Sequence, residues 1–155
     1  MEKFKLAGLG GTFDHLHNGH KCLLNTAFKV ADRVAIAVCT DRLLQNKKDK
    51  EFIQPYELRI KRLKEYLEHE LRVSKDSYEL IPLDDPFGPA ITSEELEIHI
   101  SSEETFENSK KINEIRVQKG LKPLYLLMIP LILDEAGKKV SSSSIREKLK
   151  KSISI

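Results

Sequence analysis

The chain has 155 residues, 40% of them hydrophobic and 32% charged, with a formal net charge of +2. That length and balance fit one globular domain over residues 1–155, and near-neutrality argues against the basic face of a nucleic-acid binder. Two cysteines, Cys22 and Cys39, stand far apart with no CxxC, which excludes a disulfide framework and fits a reducing, cytoplasmic setting. In chain order, Phe4–Leu9 is an apolar run of strand length, and Lys21–Ala31 carries Cys22, Leu23, Ala27, Phe28 and Val30 at helical spacing. Arg33–Cys39 is apolar on both faces, as a central parallel strand must be. Gln45 to Gln54 is polar and lysine-rich and reads as a mobile loop. Pro55 then opens a helix reaching about Leu71, with Leu58, Ile60, Leu63 and Leu67 as its buried stripe.

Tyr78–Leu83 is the third strand candidate, and Asp84 to Pro89 is loop by composition. Leu96–Ser101 alternates as a fourth strand. Glu103 to Lys119 is helical, with Phe106, Ile112, Ile115 and Val117 apolar and Gly120 as its stop. Leu124–Ile129 is the fifth strand, and Ser144–Ile153 reads as a last helix. The longest apolar run, Leu124 to Leu133, is too short to cross a bilayer, and the N-terminus lacks a signal-peptide core. No membrane partner is expected. The alternation predicts an α/β fold, a single-domain Rossmann-like parallel five-stranded sheet with helices on both faces.

Chemistry concentrates at the end of the first strand, in Gly10-Gly11-Thr12-Phe13-Asp14-His15-Leu16-His17-Asn18-Gly19-His20. A strand-to-helix junction of small residues aims free N–H groups and a helix dipole at one spot, where a phosphate is the natural occupant. Asn18 is placed to cap the helix, and Gly19 removes a side chain where phosphates approach. His17 and His20 share one side of the helix entrance and can donate to phosphate oxygens. Gly8-Leu9-Gly10 begins a GxGxxG, but Phe13 stands at its third glycine, which counts against a dehydrogenase. No GxxxxGK[ST] occurs, so P-loop kinase chemistry is excluded. No Cys or carboxylate completes a zinc set with His15, His17 and His20. A second anion site is read near the C-terminus, at Lys139-Val140-Ser141-Ser142-Ser143-Ser144-Ile145-Arg146. Ser144 and Glu147 form a capping box there, and Arg146 adds a fork of donors.

His17-Asn18-Gly19-His20 and Val140 to Arg146 resemble the two marks of the nucleotidyltransferase superfamily, an H/T-x-G-H motif and an ISSTxxR-type motif. The wider match is to phosphopantetheine adenylyltransferases of the archaeal and eukaryotic type. It runs through Gly10 to Lys21, Ile53-Gln54-Pro55-Tyr56, Ile81 to Ala90, Ser102-Glu103-Glu104-Thr105 and Lys139 to Ser144. The resemblance implies transfer of the adenylyl group of ATP to 4′-phosphopantetheine, giving dephospho-CoA and pyrophosphate. Mg²⁺ would accompany the ATP, with no metal ligand from the protein. Carried over by motif, His20 is the transition-state stabiliser, and Thr12 lies between the substrates. Gly11, Phe13 and His17 line the ATP site, and Val140, Ser141, Ser142, Ser143 and Arg146 hold its phosphates. Lys47 or Lys48 would hold the acceptor phosphate. Where the bacterial branch has an arginine-glycine motif after the fourth strand, this chain has Ser101 to Thr105; Asn113 and Arg116 beyond it read as helix-surface residues. The alternatives are a nicotinamide mononucleotide or glycerol phosphate nucleotidyltransferase and a non-catalytic nucleotide-binding module.

Overall fold

A computed structural model describes residues 2–130 and residue 149. The expected last helix and the second motif, with Val140, Ser141, Ser142, Ser143 and Arg146, lie outside the described residues. The described elements are β1 (Phe4–Gly11), α1 (Asn18–Val30), β2 (Ala31–Cys39), α2 (Tyr56–Glu65), β3 (Tyr78–Leu83), β4 (Ile98–Ser102), α3 (Phe106–Gln118) and β5 (Tyr125–Ile129). The five strands form one parallel sheet in the order β3-β2-β1-β4-β5. The chain winds outward from β1 in one direction to β3, then crosses and winds the other way from β4 to β5. Right-handed crossovers therefore put α1 and α2 on one face and α3 on the other.

The strand alternation sorts side chains between those faces. Val34, Ile36 and Val38 of β2 are at most 1% exposed and pack with Leu24 of α1 and Leu63 of α2. The opposite face of β1 and β2 carries Gly8, Gly10, Ala35 and Ala37, all small. Helix α3 covers only the β4–β5 half of this face, through Ile112 against Leu96 and Leu124. Over the small residues the face opens instead into a cavity of about 540 Å³, walled by Ile81, Leu83 and Phe87.

Beside the cavity, the central strands part. β1 pairs with β4 only through Ala7–Ile98 and Gly8–His99, while β1 stays paired with β2 as far as Gly11–Val38. A crevice thus opens at the carboxyl ends of β1 and β4, where the winding reverses and ligands bind in such sheets.

The helices depart from expectation at named positions. Pro55 precedes α2, which runs on from Glu65 as a π-helical turn, Tyr66–Glu70. Arg59 joins Leu63 and Leu67 on its buried stripe. In α3, Val117 is 60% exposed, whereas Ser109 and Arg116 are buried beside Ile112. Arg116 donates to the carbonyls of Lys122, Ala90 and Ser93, each at 2.8 Å. Asn113 grips the backbone of Leu124 through both its N–H and C=O. Both therefore fasten loops rather than face solvent. Gly120, at φ 81°, ends the helix in the left-handed conformation that glycine adopts without strain.

Candidate active site

The junction from β1 to α1 is a strained, clamped loop. Phe13 and His15 hold φ of 53° and 46°, a conformation costing non-glycine residues about 1–3 kcal/mol each. The clamp that compensates comes from the segment before α2. Gln54 N–H donates to Asp14 Oδ1 at 2.8 Å, and His15 N–H donates to Gln54 Oε1 at 3.1 Å. The His15 ring meets the Phe52 carbonyl at 2.9 Å. Asp14 is wholly buried. The stretch expected as a mobile loop is thus a run of turns, with a 3₁₀ turn at Lys50–Phe52, anchored at its C-terminal end.

His17, not Asn18, caps α1. Its Nδ1 accepts from Gly19 N–H at 3.0 Å, and its own N–H donates to His20 Nδ1 at 3.2 Å. This is the reciprocal arrangement of a capping box, built from two imidazoles. It has a chemical consequence. Both Nδ1 atoms accept, so each neutral ring carries its proton on Nε2. Two Nε2–H donors are thereby set at a helix N-terminus. The rings stack at 3.8 Å, and Phe13, 2% exposed, lies 5.3 Å from His20. Phe13 therefore supports His20 from the core and can offer a ligand only its backbone. Burial, with help from His17, lowers the His20 pKa to about 3. The His17 pKa is also lowered by burial, against the pull of Asp14.

Thr12 stands where crevice and cavity meet, with Gly10, Gly11 and Cys39. Burial pushes up the pKa of the neighbouring Cys39 thiol, while Thr12 and the Lys47 and Arg59 charges draw it back. Lys47 and Lys48 are both exposed on the turns after β2. Of the two, Lys47 is the one whose charge lowers the Cys39 pKa. The structure thus sets Gly11 and Thr12 on the cavity wall, with His17 and His20 following at the start of α1, while neither Lys47 nor Lys48 lines the cavity. Among the described residues no group of three or more His, Cys, Asp or Glu could hold a metal ion.

Arg59 was missed by the sequence reading. Fully buried, it donates from Nε to the Gln54 carbonyl at 2.8 Å and from Nη1 to the carbonyls of Thr12 and Cys39 at 2.8 and 2.6 Å. Its Nη2 meets Asp41 Oδ1 at 2.9 Å. The one available signal was an arginine in register with Leu63 and Leu67 on an otherwise apolar stripe.

Comparison with known proteins agrees with this geometry. Residues 9–148 match the cytidylyltransferase-like family model. A phosphopantetheine adenylyltransferase of Pyrococcus abyssi is 42% identical over 147 residues, covering 94% of this chain and 91% of that protein. One from Methanopyrus kandleri is 36% identical over 146 residues, with 94% and 91% covered. A crystal structure from Archaeoglobus fulgidus, of a protein of unknown function, superposes with a TM-score of 0.71 at 29% identity, covering 81% of this chain and 88% of that one.

Two outcomes are expected from this site alone. Replacing Arg59 by Met strands three carbonyls, so urea unfolding should show a loss of about 3 kcal/mol, with Arg59→Lys recovering only part because it lacks the fork. A loss below about 0.5 kcal/mol would contradict the role given to Arg59. The second concerns acid. A His20 pKa lowered to about 3 means the unfolded chain takes up a proton first, so stability is full above about pH 6.5 and falls as pH drops toward 3. At pH 5 the loss from His20 is about 2 kcal/mol. His20→Gln preserves a capping box and removes the titration, so its pH–stability curve between 6.5 and 5 should be flatter than that of the parent.

Proposed function

This chain belongs to the cytidylyltransferase-like family and, within it, to the phosphopantetheine adenylyltransferases, and on that premise we propose that it transfers the adenylyl group of ATP to 4′-phosphopantetheine. An acceptor phosphate oxygen attacks the α-phosphorus of ATP. The new P–O bond forms as the bond to the bridging oxygen of pyrophosphate breaks, leaving dephospho-CoA and pyrophosphate. The attacking phosphate is already ionised, so no general base or covalent intermediate is needed. What the protein must supply is alignment of two polyanions and stabilisation of the charge gathering at phosphorus.

The observation that carries this reading is the double-imidazole cap at the α1 N-terminus, in the loop that leaves the cavity wall at Gly11 and Thr12. The His20 Nε2–H donates to the α-phosphate in the transition state, and His17 Nε2–H to the neighbouring phosphates. The backbone at Gly11 and Phe13 and the α1 N-terminus supply further donors. Thr12 lies between the two substrates. Lys47, rather than Lys48, holds the acceptor phosphate, because its charge reaches Cys39 beside Thr12. Val140, Ser141 to Ser143 and Arg146 hold the β- and γ-phosphates. Magnesium arrives with the nucleotide, since Mg²⁺ is usually bound through substrate phosphates rather than in a protein cage. The pantetheine arm lies along the small-residue floor, whose length and apolar walls suit a long chain better than a glycerol or a ribose. No described helix is long and apolar enough to cross a membrane, and both described cysteines are free, which favours a cytoplasmic enzyme.

Pyrophosphate release should follow mixing with ATP and 4′-phosphopantetheine and should be far slower with nicotinamide mononucleotide or glycerol phosphate. No turnover with phosphopantetheine would sink the reading. His20→Ala should lower kcat by at least ~10²-fold, the scale of losing one charge-stabilising donor, with less effect on the KM for ATP. Lys47→Ala should raise the KM for phosphopantetheine more than that for ATP and more than Lys48→Ala does. Equal effects on both substrates would remove Lys47 from the acceptor site.

A further inference from the structure

The cavity lining is mainly apolar, with Arg33, Glu79 and Glu95 as its charged members, and it includes one imidazole. His99 of β4 lines the cavity, and its Nδ1 is held at 2.8 Å by Ser109 Oγ of α3. Ser109 is completely buried. Neighbouring polar side chains are committed elsewhere. Asn108 donates to the Pro86 carbonyl, Ser93 Oγ accepts from Leu96 N–H, and Thr105 Oγ1 bonds Ser102. Among the described residues, none engages His99 Nε2.

We propose that His99, oriented by Ser109, is a specificity residue that reads an amide of the acceptor arm through its Nε2. The proposal rests on the reading that the arm lies in this groove. Position supports it. His99 is paired with Gly8 in the β1–β4 register, four residues before Thr12 in the chain, which at strand rise is roughly 13 Å along the groove. In an extended acceptor the distal amide carbonyl lies about nine bonds from phosphorus, roughly 11 Å. With the phosphate beside Thr12 and Lys47, the distal amide falls at His99. Leu96 packs directly over Gly8, where a Cβ would come within 2.9 Å of its Cδ1.

The chemistry also fits. Burial lowers the His99 pKa to about 4, so the ring is neutral near pH 7 and offers one donor and one acceptor. The Ser109 hydroxyl can give or take a hydrogen bond at Nδ1, leaving Nε2 as donor or acceptor in turn. An amide presents both C=O and N–H, so either tautomer finds a partner. In an apolar channel such a group rejects an arm that lacks the matching polar atom, because the imidazole is then left unpaired.

The test is steady-state kinetics of the full chain, with melting temperatures measured in parallel. His99→Leu should raise the KM for 4′-phosphopantetheine about tenfold, leave kcat and the KM for ATP within about twofold, and be partly rescued by His99→Gln. Ser109→Ala should shift the same KM in the same direction by a smaller factor. The parent enzyme should also lose about tenfold in KM with an acceptor whose distal amide is replaced by –CH₂–CH₂–, a loss that disappears in His99→Leu. If His99→Leu melts lower but its acceptor KM is unchanged, His99 and Ser109 merely staple α3 to the sheet and the proposal is overturned. Should His99→Leu fail to fold, the analogue on the parent enzyme together with Ser109→Ala decides: unchanged KM in both overturns it. A parent enzyme that turns over phosphopantetheine but ignores the amide replacement removes the proposal alone. A parent that does not use phosphopantetheine removes the underlying reading with it.

Discussion

The site depends on one buried cation. Arg59 ties together three chain segments that come from distant parts of the sequence: the loop after β1 through Thr12, the end of β2 through Cys39, and the segment before α2 through Gln54. A lone guanidinium in the interior would be far too costly; three carbonyl hydrogen bonds and the Asp41 carboxylate make its burial tolerable. The fork geometry of arginine is what allows several acceptors to be held at fixed mutual positions. On the proposed function, those carbonyls flank the place where the acceptor phosphate meets the nucleotide. Spacing between Thr12 and the lysine-bearing turns is therefore set by a rigid plane rather than by loop packing. Arg59 also leaves a positive charge beneath a site built for two polyanions.

The sheet divides its labour by face. One face carries the large β-branched residues of β2 against α1 and α2 and so supplies most of the core. The other keeps glycine and alanine in its centre and leaves them uncovered by a helix among the described residues. A strand whose two faces are both apolar reads simply as a buried strand. The residue sizes separate the two roles, because a face meant to pack uses Val and Ile, whereas a face meant to admit a ligand needs room. The parting of β1 from β4 after Gly8–His99 then joins this open face to the crevice at the strand ends.

Much of this was legible in the sequence, and the exceptions have physical causes. The strand and helix order followed from apolar periodicity, and β3 agreed to the residue at Tyr78–Leu83. The paired histidines at the start of α1 were legible because glycine, hydroxyl and imidazole cluster at a strand end. The cap was misassigned because Asn is the usual capping residue, whereas here an imidazole Nδ1 does the accepting. Arg59 and Ser109 escape notice, and Arg116 reads as surface, because periodicity counts apolar residues, and buried polar groups are justified only by partners remote in sequence. The sequence offers no ground for choosing between Lys47 and Lys48, because which of two adjacent exposed lysines acts on a distant group is a tertiary matter.

On the proposed function, the capping histidines serve the anion site as uncharged rings. A fixed cation at the helix mouth would attract the bound triphosphate as strongly as the crowded phosphorus, lowering the ground state along with the transition state. A neutral Nε2–H donor gains most where negative charge concentrates, at the oxygens of the phosphorus under attack. It must be aimed beforehand, because reorientation during reaction would forfeit the gain. The reciprocal cap provides that aim: each Nδ1 is occupied by a backbone N–H, the tautomer is thereby set, and burial keeps the rings unprotonated. The same hydrogen bonds that start α1 thus choose the protonation state of the groups that act on the substrate, so a change that weakens the cap alters chemistry before it alters the fold.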